Sequence, residues 1–147
     1  YPISALNNFN IDKLINRIIE LIPESPPYFP KDQLTDKPER FFVNEKLREK
    51  ILLYYDKEIP YSVEVVTDQF KEEESIIKIR SKILVERESQ KGIIIGHKGV
   101  ALKKIGTKAR LDLEKFFDKK VFIDLHVKVS KNWRSNSDQL KKFGYKQ

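Results

Sequence analysis

The residues of this 147-residue chain best suited to chemistry are Gly96-His97-Lys98-Gly99, set between the run Ile93-Ile94-Ile95 and Leu102. Two glycines three apart let a backbone turn tightly between helices and let a ligand's own backbone approach closely. The helix that such a turn opens begins with N–H groups that lack intrahelical partners, and these attract anions. Lys98 adds a cation at the tip, with Lys91, Lys103, Lys104 and Lys108 nearby in sequence. Some of the isoleucines must pack inward, and others could line an apolar groove. A device of this kind can clamp a phosphodiester backbone while the groove reads a few unpaired bases. The same glycines also suit a plain corner between two helices, and the spacing alone is a weak signal.

Other chemistry finds no support. A phosphate-binding loop of the Walker type needs four residues between its glycines and a Lys-Ser/Thr ending, whereas Gly92 and Gly96 have three between them. There is no Gly-x-Ser-x-Gly elbow and no paired-histidine metal motif. Cysteine is absent, which excludes disulfides and thiolate metal sites, and His97 and His126 are the only histidines. No catalytic residue and no metal site are expected. His97 suits RNA contact or simple exposure, and His126 a structural role on a strand. Trp133 and Phe143 either stack on a base or anchor the tail, and anchoring is the expectation.

Charge points the same way as the turn. The formal charge is +7, but residues 89–147 carry fifteen basic and five acidic side chains, a net of +10. Residues 1–25 and 26–88 are slightly acidic. A concentrated basic field fits a polyanion, meaning nucleic acid or an anionic membrane surface, and equally a solvated lysine-rich face. With 39% hydrophobic and 35% charged residues the composition is that of a folded chain. No apolar run is long enough for a transmembrane helix, and no signal peptide or lipidation pattern is visible. The chain begins at Tyr1 and holds no methionine, so a piece of a longer protein is expected.

The elements that must position the turn follow from periodicity. Residues 1–5 suggest the end of a strand. Ile11, Leu14, Ile15, Ile18 and Ile22 then form one stripe of a helix, with Asn10 as its N-cap. Four prolines between Pro23 and Pro30 mark a linker. Asp36 and Pro38 announce a helix to about Tyr55, with Val43, Leu47, Ile51 and Tyr54 inward. Residues 61–67 alternate, with Tyr61, Val63, Val65 and Thr67 on one face. An acidic turn, Lys71-Glu72-Glu73-Glu74, leads to a second alternating strand with Ile77, Ile79, Ile83 and Val85 inward. A short helix over 89–95, the glycine turn and a long helix follow. The long helix has the stripe Leu102, Ile105, Ala109, Leu113 and Phe116. A strand with Val121, Ile123, Leu125, Val127 and Val129 inward and a short basic helix near 136–144 close the chain. The expected class is α+β, a three-stranded mixed sheet with helices on one face.

This order, with Gly-His-Lys-Gly between paired helices, resembles a type II KH domain over residues 39 to about 130. The segments Pro26-Pro27-Tyr28-Phe29-Pro30, Asp32-Gln33-Leu34-Thr35-Asp36, Val85 to Gly96, Leu102-Lys103-Lys104-Ile105-Gly106 and Trp133-Arg134 together resemble the Era family of bacterial GTPases. The resemblance implies a GTPase-domain remnant over 1–25, a linker over 26–38 and a type II KH domain over 39–147. It implies single-stranded RNA binding through Lys91, Ile94, Ile95, Gly96, His97, Lys98, Gly99, Lys103 and Lys104. Ser4-Ala5-Leu6 is similar to the family's last guanine-contacting loop, with a backbone amide near Ala5 meeting the base. The family's phosphate loop, magnesium-binding Asp-x-x-Gly and Asn-Lys-x-Asp are absent, so no enzyme activity and no cofactor are expected of these 147 residues. GTP and Mg2+ are expected for the whole protein. The resemblance further implies a role in small-ribosomal-subunit assembly, with the 3′ end of small-subunit rRNA as partner and GTP controlling access to it. It also implies a cytoplasmic location with some peripheral inner-membrane association. DNA binding is not expected, and the chain is expected to be a monomer. Alternatives are a fragment serving protein or membrane contact within a GTPase, and a ribosomal protein with a KH fold, against which residues 1–25 speak.

Overall fold

A computed structural model describes residues 1–26, 30 and 35–145. Most of the expected linker, residues 27–29 and 31–34, lies outside the described residues. The chain divides into two compact units, Tyr1–Asp36 and Lys37–Gln147.

In the first unit the isoleucine stripe forms helix α1 (Ile11–Leu21), yet none of its residues is buried. An 11-residue helix offers too little surface to make a core alone. The strand expected over 1–5 does not form. Only Ser4 makes a bridge, to Phe9, because a strand needs a ladder partner and the described residues of this unit offer one bridge. Asn10 stands at the N-cap position in a left-handed conformation, but its side chain makes no cap. Its amide instead donates to the Pro2 carbonyl at 3.1 Å.

The second unit runs α2 (Glu39–Tyr54), β1 (Glu64–Glu72), β2 (Ile76–Val85), α3 (Glu88–Ile95), α4 (Val100–Phe117), β3 (Lys120–Val129) and α5 (Ser137–Lys142). The sheet order is β1-β2-β3. β1 and β2 form an antiparallel hairpin. β3 pairs with β2 in parallel, Ile79 beside Ile123 and Ile83 beside Val127, so the two apolar rows share a face. Leu47 and Ile51 of α2, Ile94 of α3 and Ile105 and Leu113 of α4 are fully buried with Ile79 and Ile83 in one core. The expected mixed sheet with helices on one face is what forms.

Four expectations for this unit need correction. Pro60–Ser62 is a 3-10 turn rather than strand, and Tyr61 is 74% exposed. Pro60 has no N–H for a ladder, and the Ser62 hydroxyl donates to the Ile59 carbonyl at 3.0 Å. β1 therefore starts later and also runs further than residue 67. The pairing shifts between Thr67 and Gln69, a bulge at Asp68 that resets the alternation and brings Phe70 onto the core. Lastly, Phe116 is half exposed and stacks on Phe42 at 4.9 Å, whereas Phe117, one helical turn after Leu113, packs on the core. Tyr54 is likewise partly exposed.

The tail is anchored as expected. Trp133 is buried and meets Phe143 edge-on at 5.8 Å, which removes its ring from any base. The Tyr145 hydroxyl donates to the buried Glu64 carboxylate at 2.7 Å, and Arg134 donates to the Tyr61 carbonyl.

Periodicity did not reveal Lys50, a buried cation on α2. Its amine pairs with Glu49 at 2.9 Å and with Asp112 of α4, joining the two helices across the core edge. Its hydrogen bond to Asp112 holds Lys50 above the usual lysine range, and the same bond holds Asp112 below the usual carboxylate range. Glu49 is lowered too, by Lys46 first and Lys50 second. A carboxyl lowered by folding adds stability above its unfolded pKa and loses it as pH falls through the folded one. The urea midpoint should therefore fall below about pH 4, more steeply in the native chain than in Lys50→Met. Equal slopes in the two proteins would rule out the network as the cause.

Candidate nucleic-acid interface

The glycine turn is held from both sides. Before it, the buried Gln90 side chain accepts the N–H groups of Glu86 and Arg87, each at 3.0 Å, and so caps the start of α3. At the other end of α3 the Tyr55 hydroxyl donates to the Ile94 carbonyl at 2.6 Å. Burial pushes the Tyr55 hydroxyl's pKa up, which keeps that donor protonated. The Gly96 N–H closes the helix on Gly92 at 2.9 Å.

Inside the turn three of four residues have positive φ. Gly96 lies at φ 71°, ψ 178°, Lys98 at φ 49° and Gly99 at φ 78°. A Cβ on Gly96 would stand 2.6 Å from the Ala101 Cβ, whereas one on Gly99 would meet nothing within 4 Å. Gly96 is thus required by contact as well as conformation. Within the turn the Gly99 N–H donates to the Gly96 carbonyl at 3.2 Å and the Val100 N–H to the His97 carbonyl, which leaves the His97 and Lys98 N–H groups without a backbone acceptor among the described residues.

The turn opens onto a groove of about 440 Å³ between α4 and β3. Gly99, Leu102, Lys103, Gly106, Thr107 and Arg110 line one wall, at the spacing of a single helix face. Phe122, Ile123 and Leu125 form the other. Gly106 sets the width, since a Cβ there would lie 3.1 Å from the Leu125 side chain. Arg110 is held by Glu114 at 2.9 Å, and Glu114 also accepts the Val121 N–H at 3.1 Å. That N–H first, and Arg110 with it, hold the Glu114 carboxyl below its usual range.

Of the residues singled out above, Gly99 and Lys103 line the groove, and Gly96 with the exposed His97 and Lys98 forms the turn at its end. Ile95 is half-buried. Ile94 is fully buried, so its side chain belongs to the core and cannot touch a base. Lys91 sits 3.9 Å from Glu88, and Lys104 lies over the Tyr54 ring at 4.5 Å. Ser4 and Ala5 belong to a turn of the first unit, in which the Asn8 N–H reaches the Ala5 carbonyl. Gly106, Thr107, Arg110 and Phe122 were not anticipated. The first three continue the one-face spacing from Gly99, and Phe122 is an aromatic out of place on the polar side of a strand.

Three bases of the outer sheet face are paired with acids. On the outer sheet face Lys78 pairs with Glu73, Arg80 with Asp124 and Lys82 with Asp68. His126 lies there as well, 3.0 Å from Asp124. Beside the turn and the groove, Lys98 and Lys103 have no ion-pair partner among the described residues.

The sequence profile of the KH domain family matches residues 58–134. The chain belongs to the KH domain family. The Gly96–Gly99 turn lies inside the matched stretch, and the element order is the type II arrangement. The GTPase Era of Syntrophus aciditrophicus is 53% identical over 146 residues, 98% of this chain and 48% of that protein. That of Geotalea daltonii is 51% identical over 145 residues, with 98% and 49% covered. The chain spans about half the length of these curated relatives. Among solved structures, an Aquifex aeolicus Era variant bound to GDP and aluminium fluoride superposes with a TM-score of 0.93 at 39% identity, over 99% of this chain and 50% of that one. A structure of Era in complex with MgGDPNP and nucleotides 1506–1542 of 16S ribosomal RNA gives 0.92 at 39% identity, over 99% and 49%.

The two loop glycines should respond differently to alanine. Gly96→Ala meets a backbone region close to glycine-only and a steric overlap, and should cost about 2 kcal/mol or more. Gly99→Ala meets only the left-handed penalty of about 1 kcal/mol. Chemical denaturation of both variants measures the order, and an equal or reversed order would show that Ala101 yields freely.

Proposed function

We propose that this chain is the RNA-holding part of an Era-type GTPase, and that the Gly96–Gly99 loop clamps a single-stranded stretch of small-subunit rRNA near its 3′ end. The carrying observation is the convergence at one groove of the exposed Gly96–Gly99 turn and of Lys98 and Lys103, which have no ion-pair partner among the described residues. The relative solved with nucleotides 1506–1542 of 16S ribosomal RNA supports the choice of RNA. Clamping places the phosphates against the His97 and Lys98 N–H groups and the Lys98 ammonium. The apolar floor of Leu102, Ile123 and Leu125 then receives bases, which only unpaired nucleotides can supply.

The same reading assigns GTP and Mg2+ binding, GTP hydrolysis and a part in assembling the small subunit to the whole protein. The 147 residues alone are proposed to bind RNA without hydrolysing GTP, since the phosphate-loop, magnesium and guanine-reading motifs lie outside this sequence. A cytoplasmic, monomeric protein with peripheral inner-membrane contact fits this role. No helix among the described residues is long and apolar enough to cross a membrane.

Fluorescence anisotropy with a single-stranded RNA copying the small-subunit rRNA 3′ end tests the reading. The native chain should bind, and a clamp on about four phosphates should weaken with a log–log salt slope of about 3. The folded double variant His97→Asp, Lys98→Asp should lose about tenfold or more. Equal binding by both proteins would make the attraction non-specific. Salt-insensitive binding, or none, would favour a protein or membrane partner instead.

A further inference from the structure

The groove has two ends, and the loop is only one of them. At 1.5 Å of rise per residue, Arg110 stands about 16 Å along α4 from Gly99. Phe122 borders that end, next to Val121, whose N–H is tied to Glu114 beside Arg110. Phe122 is 56% exposed, on a strand whose other outward side chains, Asp124, His126 and Lys128, are polar. Water contact with so much ring surface is unfavourable, and among the described residues this ring makes no aromatic pair, unlike Phe41, Phe42, Phe70, Phe116, Phe117 and Phe143. Core packing therefore does not account for it.

Arg110 is held rather than consumed. One guanidinium nitrogen is on Glu114, which is itself fixed by the Val121 N–H, the residue next to Phe122. A guanidinium has five N–H donors, so the others remain for a ligand. A fixed cation and an open ring that both border one groove match the two faces of a nucleotide, phosphate and base.

We propose that Phe122 and Arg110 form a second nucleotide subsite at the end of the groove remote from the glycine loop. Phe122 stacks one unpaired base there, and Arg110 holds that nucleotide's phosphate. The subsite rests on the RNA-binding reading above and extends it, because the strand is then gripped at two points. The register of the bound RNA is set by the separation of those points as well as by the groove floor.

The test uses the full 147-residue chain and a set of single-stranded octanucleotides with 2-aminopurine moved through each position. Stacking on a ring should quench the probe at one position near one terminus. Phe122→Leu, which keeps the apolar surface but not the ring, should abolish that quench and weaken binding about fivefold or more. Phe122→Tyr should restore both, and Arg110→Gln should weaken binding while lowering the salt slope by about 0.7. Should Phe122→Leu bind within twofold of the native chain with every quench unchanged, while His97→Asp, Lys98→Asp still loses binding, the subsite is wrong and the loop clamp stands. Failure of the native chain to bind any of these RNAs would overturn the RNA reading and the subsite together.

Discussion

Parallel pairing of β3 with β2 is the constraint from which the site follows. A hairpin cannot join parallel strands, so the chain leaving Val85 must cross back over the sheet before Lys120 can begin β3. Two helices make the crossing, and the corner between them has only residues 96–99 in which to reverse. Gly96 can turn there because no Cβ meets Ala101, and Gln90 and Tyr55 fix the helix that delivers the chain to it. Once the corner is made, α4 must lie along the edge strand that follows it. Gly106 allows the helix to come close to Leu125, and the remaining space between helix and strand is the groove.

Electrostatics then distinguishes surfaces of similar composition. Both the outer sheet face and the groove carry lysine and arginine. On the sheet, β-pairing sets Asp124 directly opposite Arg80, the bulge brings Asp68 to Lys82 and the hairpin turn brings Glu73 to Lys78. Exposed pairs of that kind contribute little to stability, but they cancel the field that would draw a polyanion. On α4 the acids lie elsewhere: Asp112 is taken by Lys50 at the helix–helix seam and Glu114 by Val121 and Arg110. The cations beside the turn are left to act outward.

Much of the second unit was legible from side-chain pattern. The three strands, the two crossing helices and the loop glycines all followed from alternation, from three- and four-residue spacing and from punctuation by glycine. What escaped had particular causes. The bulge at Asp68 adds one residue to β1, and no period of two can announce a break in itself. Ile94 and Ile95 are adjacent and chemically alike, yet the helix turns one into the core and leaves the other half-buried. Lys50 resembles any surface lysine until α4 brings Asp112 to it.

The sequence by itself determined the class of fold and the character of the turn, because both rest on local physics: the conformations glycine permits, the periods of helix and strand, and the basic charge of residues 89–147. It determined the family likeness as well. Tertiary structure alone decided which cations remain unpaired, which isoleucine is lost to the core, and that Arg110 and Phe122, 12 positions apart in sequence, face one groove. Those outcomes depend on how α4 packs against β3 and α2. Such contacts are made between segments whose own patterns carry no record of their partners.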